Sequence, residues 1–194
     1  MKTLNFIAIV LIVVSLMLIT GCSNPSSDGI NTTEEKNVSA KVPKMSLHEA
    51  AYFGNTTVIN QHIEAGTNLN EKEELGGATP LISAVTFGRT EAAIALINGG
   101  ADLNMKNREG STALHIAAFF CRVEIVEALL NKGADVTVTN NYGSTPRESV
   151  LGPFENVKSI YDQISKDLGP LGLKLDYNHI ENNRQVVAKM LENK

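Results

Sequence analysis

Residues 109–135 read EGSTALHIAAFFCRVEIVEALLNKGAD, and this stretch decides the architecture. Thr112 stands just ahead of an apolar run, where its hydroxyl suits an N-cap and accepts from an orphan N–H of the first helical turn. Leu114, Ala117 and Ala118 lie three or four residues apart and form a narrow apolar stripe, and alanine there lets a neighbouring helix approach closely. Ile125, Val126, Leu129 and Leu130 repeat that spacing in a second helix. Gly133 follows at the position where a left-handed residue commonly ends a helix. Helices this short are marginal in isolation, so the pair needs neighbours.

The neighbours are in the sequence. Thr79-Pro80-Leu81-Ile82-Ser83-Ala84 lies 33 residues before Thr112-Ala113-Leu114-His115-Ile116-Ala117, and a degenerate Thr145-Pro146-Arg147-Glu148-Ser149-Val150 lies 33 after it. Leu47-His48-Glu49-Ala50 matches Leu81 to Ala84 at a spacing of 34, which places one extra residue in the loop around Leu75. Gly66-Thr67-Asn68, Gly100-Ala101-Asp102 and Gly133-Ala134-Asp135 repeat in the same way. A 33-residue period carrying T-P-L-H-x-A resembles the ankyrin repeat. The resemblance implies an all-α solenoid of paired antiparallel helices, in which stacking makes a continuous core from units that cannot stand alone. Three repeats are expected at 45–75, 76–108 and 109–142, with a degenerate fourth repeat and a helical C-terminal cap over 143–194.

Two departures from the pattern carry expectations. Gly54 and Gly88 fall between the two helices of their units, but the third unit has Cys121 there, which must take a positive φ at some cost. In the fourth unit Arg147 replaces the core leucine and Gly152-Pro153 cuts the first helix short. Phe154, Val157, Ile160 or Tyr161, Ile164 and Leu168 then keep helical spacing, which predicts that the unit's second helix survives. A Gly-Pro-Leu-Gly turn at 169–172 leads to a last helix with Ile180, Val187 and Leu191 on one face.

The chain begins differently. Lys2 precedes sixteen residues, Leu4 to Ile19, broken only by Asn5 and Ser15. As a helix this segment reaches about 24 Å, short of the roughly 30 Å hydrocarbon core, and its length fits a secretory signal. Ile19-Thr20-Gly21-Cys22 resembles the lipobox of bacterial lipoproteins. That resemblance implies cleavage of residues 1–21, diacylglyceryl transfer to the Cys22 thiol and a chain held at the membrane by two or three acyl groups, which suffice for stable anchoring. It also implies a cell-envelope location, facing the periplasm from the outer membrane if the organism is Gram-negative, because Ser23 replaces the Asp that favours inner-membrane retention. Residues 22–44 are then the lipidated cysteine and a Ser-, Asn- and Thr-rich tether, whose 22 residues after the cysteine span roughly 23–28 Å as a coil.

Composition narrows the function. Of 194 residues 43% are hydrophobic, which fits a folded protein. Seventeen Lys and Arg against 21 Asp and Glu give a net charge of −4, so no basic field exists to hold nucleic acid. Cys22 and Cys121 are too few for a disulfide scaffold or a four-ligand zinc site. His48-Glu49-Ala50-Ala51-Tyr52 begins like a zinc protease helix but has tyrosine where the second histidine ligand belongs. His48 and His115 hold the same place two units apart, too distant to share an ion, and in the resembling family this histidine bonds near the cap threonine. No cofactor and no small-molecule substrate is expected. An unrecognised enzyme built on His48 and Glu49 is the weakest reading.

A surface remains. The resemblance implies binding of protein partners through the turns between units and the exposed side of the first helices. Arg108, Glu109 and Tyr142 lie in those turns, and Tyr52, Phe53, Phe87, Phe119 and Phe120 lie at the ends of the first helices. Phe53, Phe87 and Phe120 are equivalent positions, so stacking should align them. The row is either a set of interface anchors, for which aromatic residues are favoured, or packing between units. The sequence therefore predicts a non-catalytic, membrane-tethered module that recruits or restrains an envelope protein; the alternative is an inhibitor or immunity protein against an envelope enzyme or toxin.

Overall fold

The computed structural model describes residues 42–192. Eight α-helices and no strand occur among the described residues: α1 (Leu47–Phe53), α2 (Thr56–Glu64), α3 (Pro80–Thr86), α4 (Thr90–Asn98), α5 (Ala113–Phe119), α6 (Val123–Asn131), α7 (Lys158–Leu168) and α8 (Tyr177–Glu192). Helices α1, α3 and α5 stack side by side in one layer, and α2, α4, α6 and α8 stack in a second. This is the all-α solenoid that the resemblance to the ankyrin repeat implies.

Each first helix starts for a readable reason. Ser46 Oγ accepts from the Glu49 N–H at 3.2 Å while the Glu49 carboxylate accepts from the Ser46 N–H at 2.9 Å, a reciprocal cap. Thr79 and Thr112 cap α3 and α5 through the N–H groups of Ile82 and His115. Pro80 fills the first position of α3, where its missing N–H costs nothing. Between the layers lie alanines with no exposed surface, among them Ala50, Ala51, Ala84, Ala93, Ala117 and Ala118. Small side chains there permit the close helix approach on which the shared core depends.

The turn inside each unit reverses the chain on a single left-handed residue: Gly54 at φ 77°, Gly88 at 64° and Cys121 at 50°. Cys121 is the only non-glycine residue with positive φ among the described residues. At Gly88 a Cβ would also stand 2.7 Å from the Arg122 guanidinium carbon, so the end of that side chain would have to move.

The fourth unit departs from the expectation. A short 3₁₀ turn, Glu148–Val150, packs on α5 where a first helix belongs, and Gly152 (φ 85°) and Pro153 end it. The helix that continues the second layer, packed on α6, is α8 and not the segment through Leu168. Helix α7 belongs instead to an insertion, residues 151–176, that replaces the one-residue turn of the other units. Its stripe of Tyr161, Ile164 and Leu168 is as regular as anticipated, but spacing along a helix does not say which neighbour the stripe meets.

Candidate functional site

The insertion turns back across the ends of the first helices. Tyr161 has no exposed surface and sits among four rings: Phe119 at 4.6 Å, Phe154 at 5.6 Å, and Phe120 and Tyr177 each at 6.4 Å. Its hydroxyl donates to the Phe119 carbonyl at 2.6 Å and accepts from Arg184 Nη1 at 3.1 Å; Arg184 Nη2 donates to the Leu151 carbonyl at 3.2 Å. Arg184, only 2% exposed, thus ties α8, the insertion and α5 together. Burial is the main reason that the Tyr161 hydroxyl ionises well above the usual tyrosine range. At the other end of the insertion the Tyr52 hydroxyl donates to the Leu171 carbonyl, so the fourth unit reaches the first.

This crossing decides the aromatic row. Phe87 and Phe120 are buried, at 6% and 4% exposure, and Tyr52 and Phe119 are partly buried. Tyr52 meets the edges of Phe53 and Phe87 at 4.8 and 4.5 Å. Phe53, at 57%, alone of the three equivalent phenylalanines faces solvent. For Phe87 the packing reading holds; Phe120 is packed as well, and only a small part of it remains open to a neighbouring groove. The insertion packs Tyr161 against Phe120, Phe87 packs against Tyr52, and the first member of the row stays open.

The turns between units form the opposite wall, and each is closed in the same way. The Glu73 N–H donates to the Ala78 carbonyl, Asn107 to Ser111 and Asn140 to Ser144, all at 3.0 Å. The first turn is one residue longer, which places the extra residue where the 34-residue spacing put it. Asn107 Oδ1 accepts from the N–H groups of Glu109 and Ser111, and Asn140 Oδ1 from those of Tyr142 and Ser144. In the longer turn Glu73 takes over that role, its carboxylate accepting from Leu75, Gly76 and Ala78. Successive turns are also stitched together: the Arg108 N–H donates to Gly76 and the Asn141 N–H to Glu109, both at 2.9 Å, while Arg108 Nη2 reaches the Glu74 carbonyl at 2.7 Å. Such pre-ordering lowers the entropy cost of binding.

The histidines are occupied structurally. The Thr112 N–H donates to His115 Nδ1 at 3.2 Å, so Nε2 carries the proton and donates to the Ser144 carbonyl of the next turn at 3.0 Å. His48 Nε2 makes the equivalent contact to the Ala78 carbonyl at 3.3 Å. Burial, chiefly, lowers the His115 pKa below its ordinary value. His48 and Glu49, on which a catalytic reading would rest, are therefore engaged in caps and unit-to-unit contacts. Cys121 is fully buried, and burial pushes its thiol up to about 11, far from a reactive thiolate. Among the described residues no group of three or more His, Cys, Asp or Glu could hold a metal ion.

Between the turns and α7 runs a groove of about 180 Å³. Ile82, Ile116, Phe119 and Phe120 form its apolar floor; Ile164 and Leu168 of the insertion make one wall, and Glu109 and Tyr142 stand on the other. Burial raises the Glu109 pKa above the ordinary carboxyl value, outweighing its backbone hydrogen bond and nearby Arg108. Burial, and then the Glu109 charge, raise that of Tyr142, which is 36% exposed. Of the residues singled out from sequence, Glu109, Tyr142 and Phe119 meet in this groove, and Phe120 contributes to its floor. Arg108 lies beside it, while Tyr52 and Phe53 sit at the far end of the stack. Cys22 and the signal segment lie outside the described residues. The periodicity gave no warning of the α7 wall, although Arg184 did carry a signal: it shares a face with Ile180, Val187 and Leu191, where a charge signals a buried partner.

Comparison with known proteins agrees with this architecture. Residues 47–140 match the family model described as ankyrin repeats (3 copies), so this part of the chain consists of ankyrin repeats. An ankyrin repeat-containing protein of Schizosaccharomyces pombe is 35% identical over 63 residues, 32% of this chain and 30% of that protein. The human DNA-binding protein RFXANK is 34% identical over 74 residues, 38% of this chain and 28% of the other. Human ankyrin repeat domain-containing protein 37 is 30% identical over 102 residues, 50% of this chain and 63% of that one. The chain thus covers less than two thirds of each relative's length.

Proposed function

We propose that the protein is a membrane-tethered binding module that recruits or restrains another protein of the bacterial cell envelope. The observation that carries the binding half is the open groove: a rigid apolar floor between hydrogen-bonded turns and the insertion, with the histidines committed to structure. The tethering half rests on the sequence Ile19-Thr20-Gly21-Cys22 and on the polar stretch behind it. No helix among the described residues is long and apolar enough to cross a membrane. Lipid at Cys22 would hold the stack within reach of the bilayer surface while the tether leaves it free to turn.

The test is metabolic labelling with palmitate in a bacterial host. The intact chain is expected to take up label and to fractionate with membranes; Cys22→Ala should abolish both. Equal labelling of that variant would remove the anchor and leave only the binding module.

A further inference from the structure

The groove's charges are one-sided. Its carboxylates belong to Glu73 and Glu109, and neither Lys nor Arg lines it. Glu73 is not available to a ligand, because its oxygens already accept from three backbone N–H groups in its own turn. Arg108, next in sequence, directs Nη2 to the Glu74 carbonyl and does not line the groove, and its charge offsets only part of the burial of Glu109. Glu109 is therefore the charge that the groove presents, beside the Tyr142 ring and directly over an apolar floor. A half-desolvated carboxylate in such a place favours a cation, and a cationic partner recovers the interaction that water no longer supplies.

The size of the groove narrows the ligand further. A volume of about 180 Å³ is below the roughly 300–1,000 Å³ typical of sites for drug-sized molecules and cofactors. It suits one or two side chains of a larger partner. We infer that this groove recognises a peptide segment of a protein partner in which an aliphatic or aromatic residue, seated against Ile116, Phe119 and Leu168, neighbours a Lys or Arg that pairs with Glu109. The inference rests on the protein-binding reading above and adds the chemistry of the partner. The insertion is what makes the site: without Ile164 and Leu168 the floor would be an open face, and the bound side chain would keep one side in water.

The probe is a random 12-residue peptide library displayed on phage and selected against the full-length chain, followed by titration of enriched peptides as synthetic ligands. Enrichment of apolar residues adjacent to Lys or Arg is expected, with affinity that falls as salt rises. Glu109→Gln should weaken those peptides at least tenfold, and Glu109→Lys should abolish binding, both with unchanged circular dichroism. Leu168→Ala, which opens the α7 wall, should weaken binding with little change in salt dependence. If enriched peptides bind Glu109→Lys as well as the parent, the protein-binding reading stands and the groove assignment falls. If the enriched peptides are acidic or lack charge, the basic partner is wrong. If nothing is enriched, or the chain alone runs as a dimer whose contact involves Glu109, the peptide assignment is overturned.

Discussion

The three regular units and the insertion are built by opposite rules. In residues 47–134 the helices pack on partners within their own unit or the next, and the same parts recur: a capped first helix, a left-handed turn, a second helix. In residues 151–176 the contacts skip the period. Tyr161 meets Phe119 forty-two residues away, and Tyr52 reaches Leu171 across 119. The repeated part resembles a one-dimensional stack, whose stability is a sum of local terms. The insertion is a strap that joins the last unit to the first, so loosening one of its contacts should be felt along the whole row.

That contrast is open to attack, first at Tyr161. Tyr161→Ala removes the ring at the centre of four others, leaves Arg184 without one of its acceptors, and is expected to cost about 4 kcal/mol or more in urea unfolding. A cost below about 1 kcal/mol would mean that the insertion is loosely attached. Next come two equivalent phenylalanines with different neighbours. Phe120→Ala should cost about 3 kcal/mol, since the residue is buried against the insertion, whereas Phe53→Ala should stay within about 0.5 kcal/mol. Equal costs would show that the row is uniform and that the insertion does not distinguish its members.

The smallest effect concerns pH. The folded state lowers the His115 pKa, so it binds fewer protons than the unfolded chain. Stability from this residue is therefore complete above the unfolded value of 6.5 and is lost as pH falls below it. Urea midpoints measured at pH 7.5 and pH 5.5 should differ more for the parent than for His115→Gln. The reverse dependence would contradict the neutral ring that the Thr112 N–H and the Ser144 carbonyl define.

Legibility followed the same division. The helix pairs, the capping threonines, the left-handed residue at Cys121 and the extra residue in the first turn could be read from the sequence, because each depends on neighbours within one period. The role of Phe120 could not, because exposure at a stacked position depends on what covers it, and its cover, Tyr161, lies in a segment with no counterpart elsewhere in the chain. The stripe of Tyr161, Ile164 and Leu168 announced a helix and its buried face without naming its partner. Glu109 and Tyr142 were visible as turn residues. Their placement over an apolar floor needed the wall that α7 provides.

The central claim is that the insertion packs firmly on Phe119 and Phe120 through Tyr161 and so walls the groove whose floor they form. Hydrogen–deuterium exchange of the full chain and of Tyr161→Ala tests it most directly. In the parent, the amides of Phe120, Cys121 and Arg122, bonded to the Ile116, Ala118 and Ala117 carbonyls, should exchange as slowly as the core of α5. In the variant they should lose protection, while the amides of α2 keep theirs. Fast exchange at these three positions in the parent, or protection untouched by Tyr161→Ala, would contradict the account.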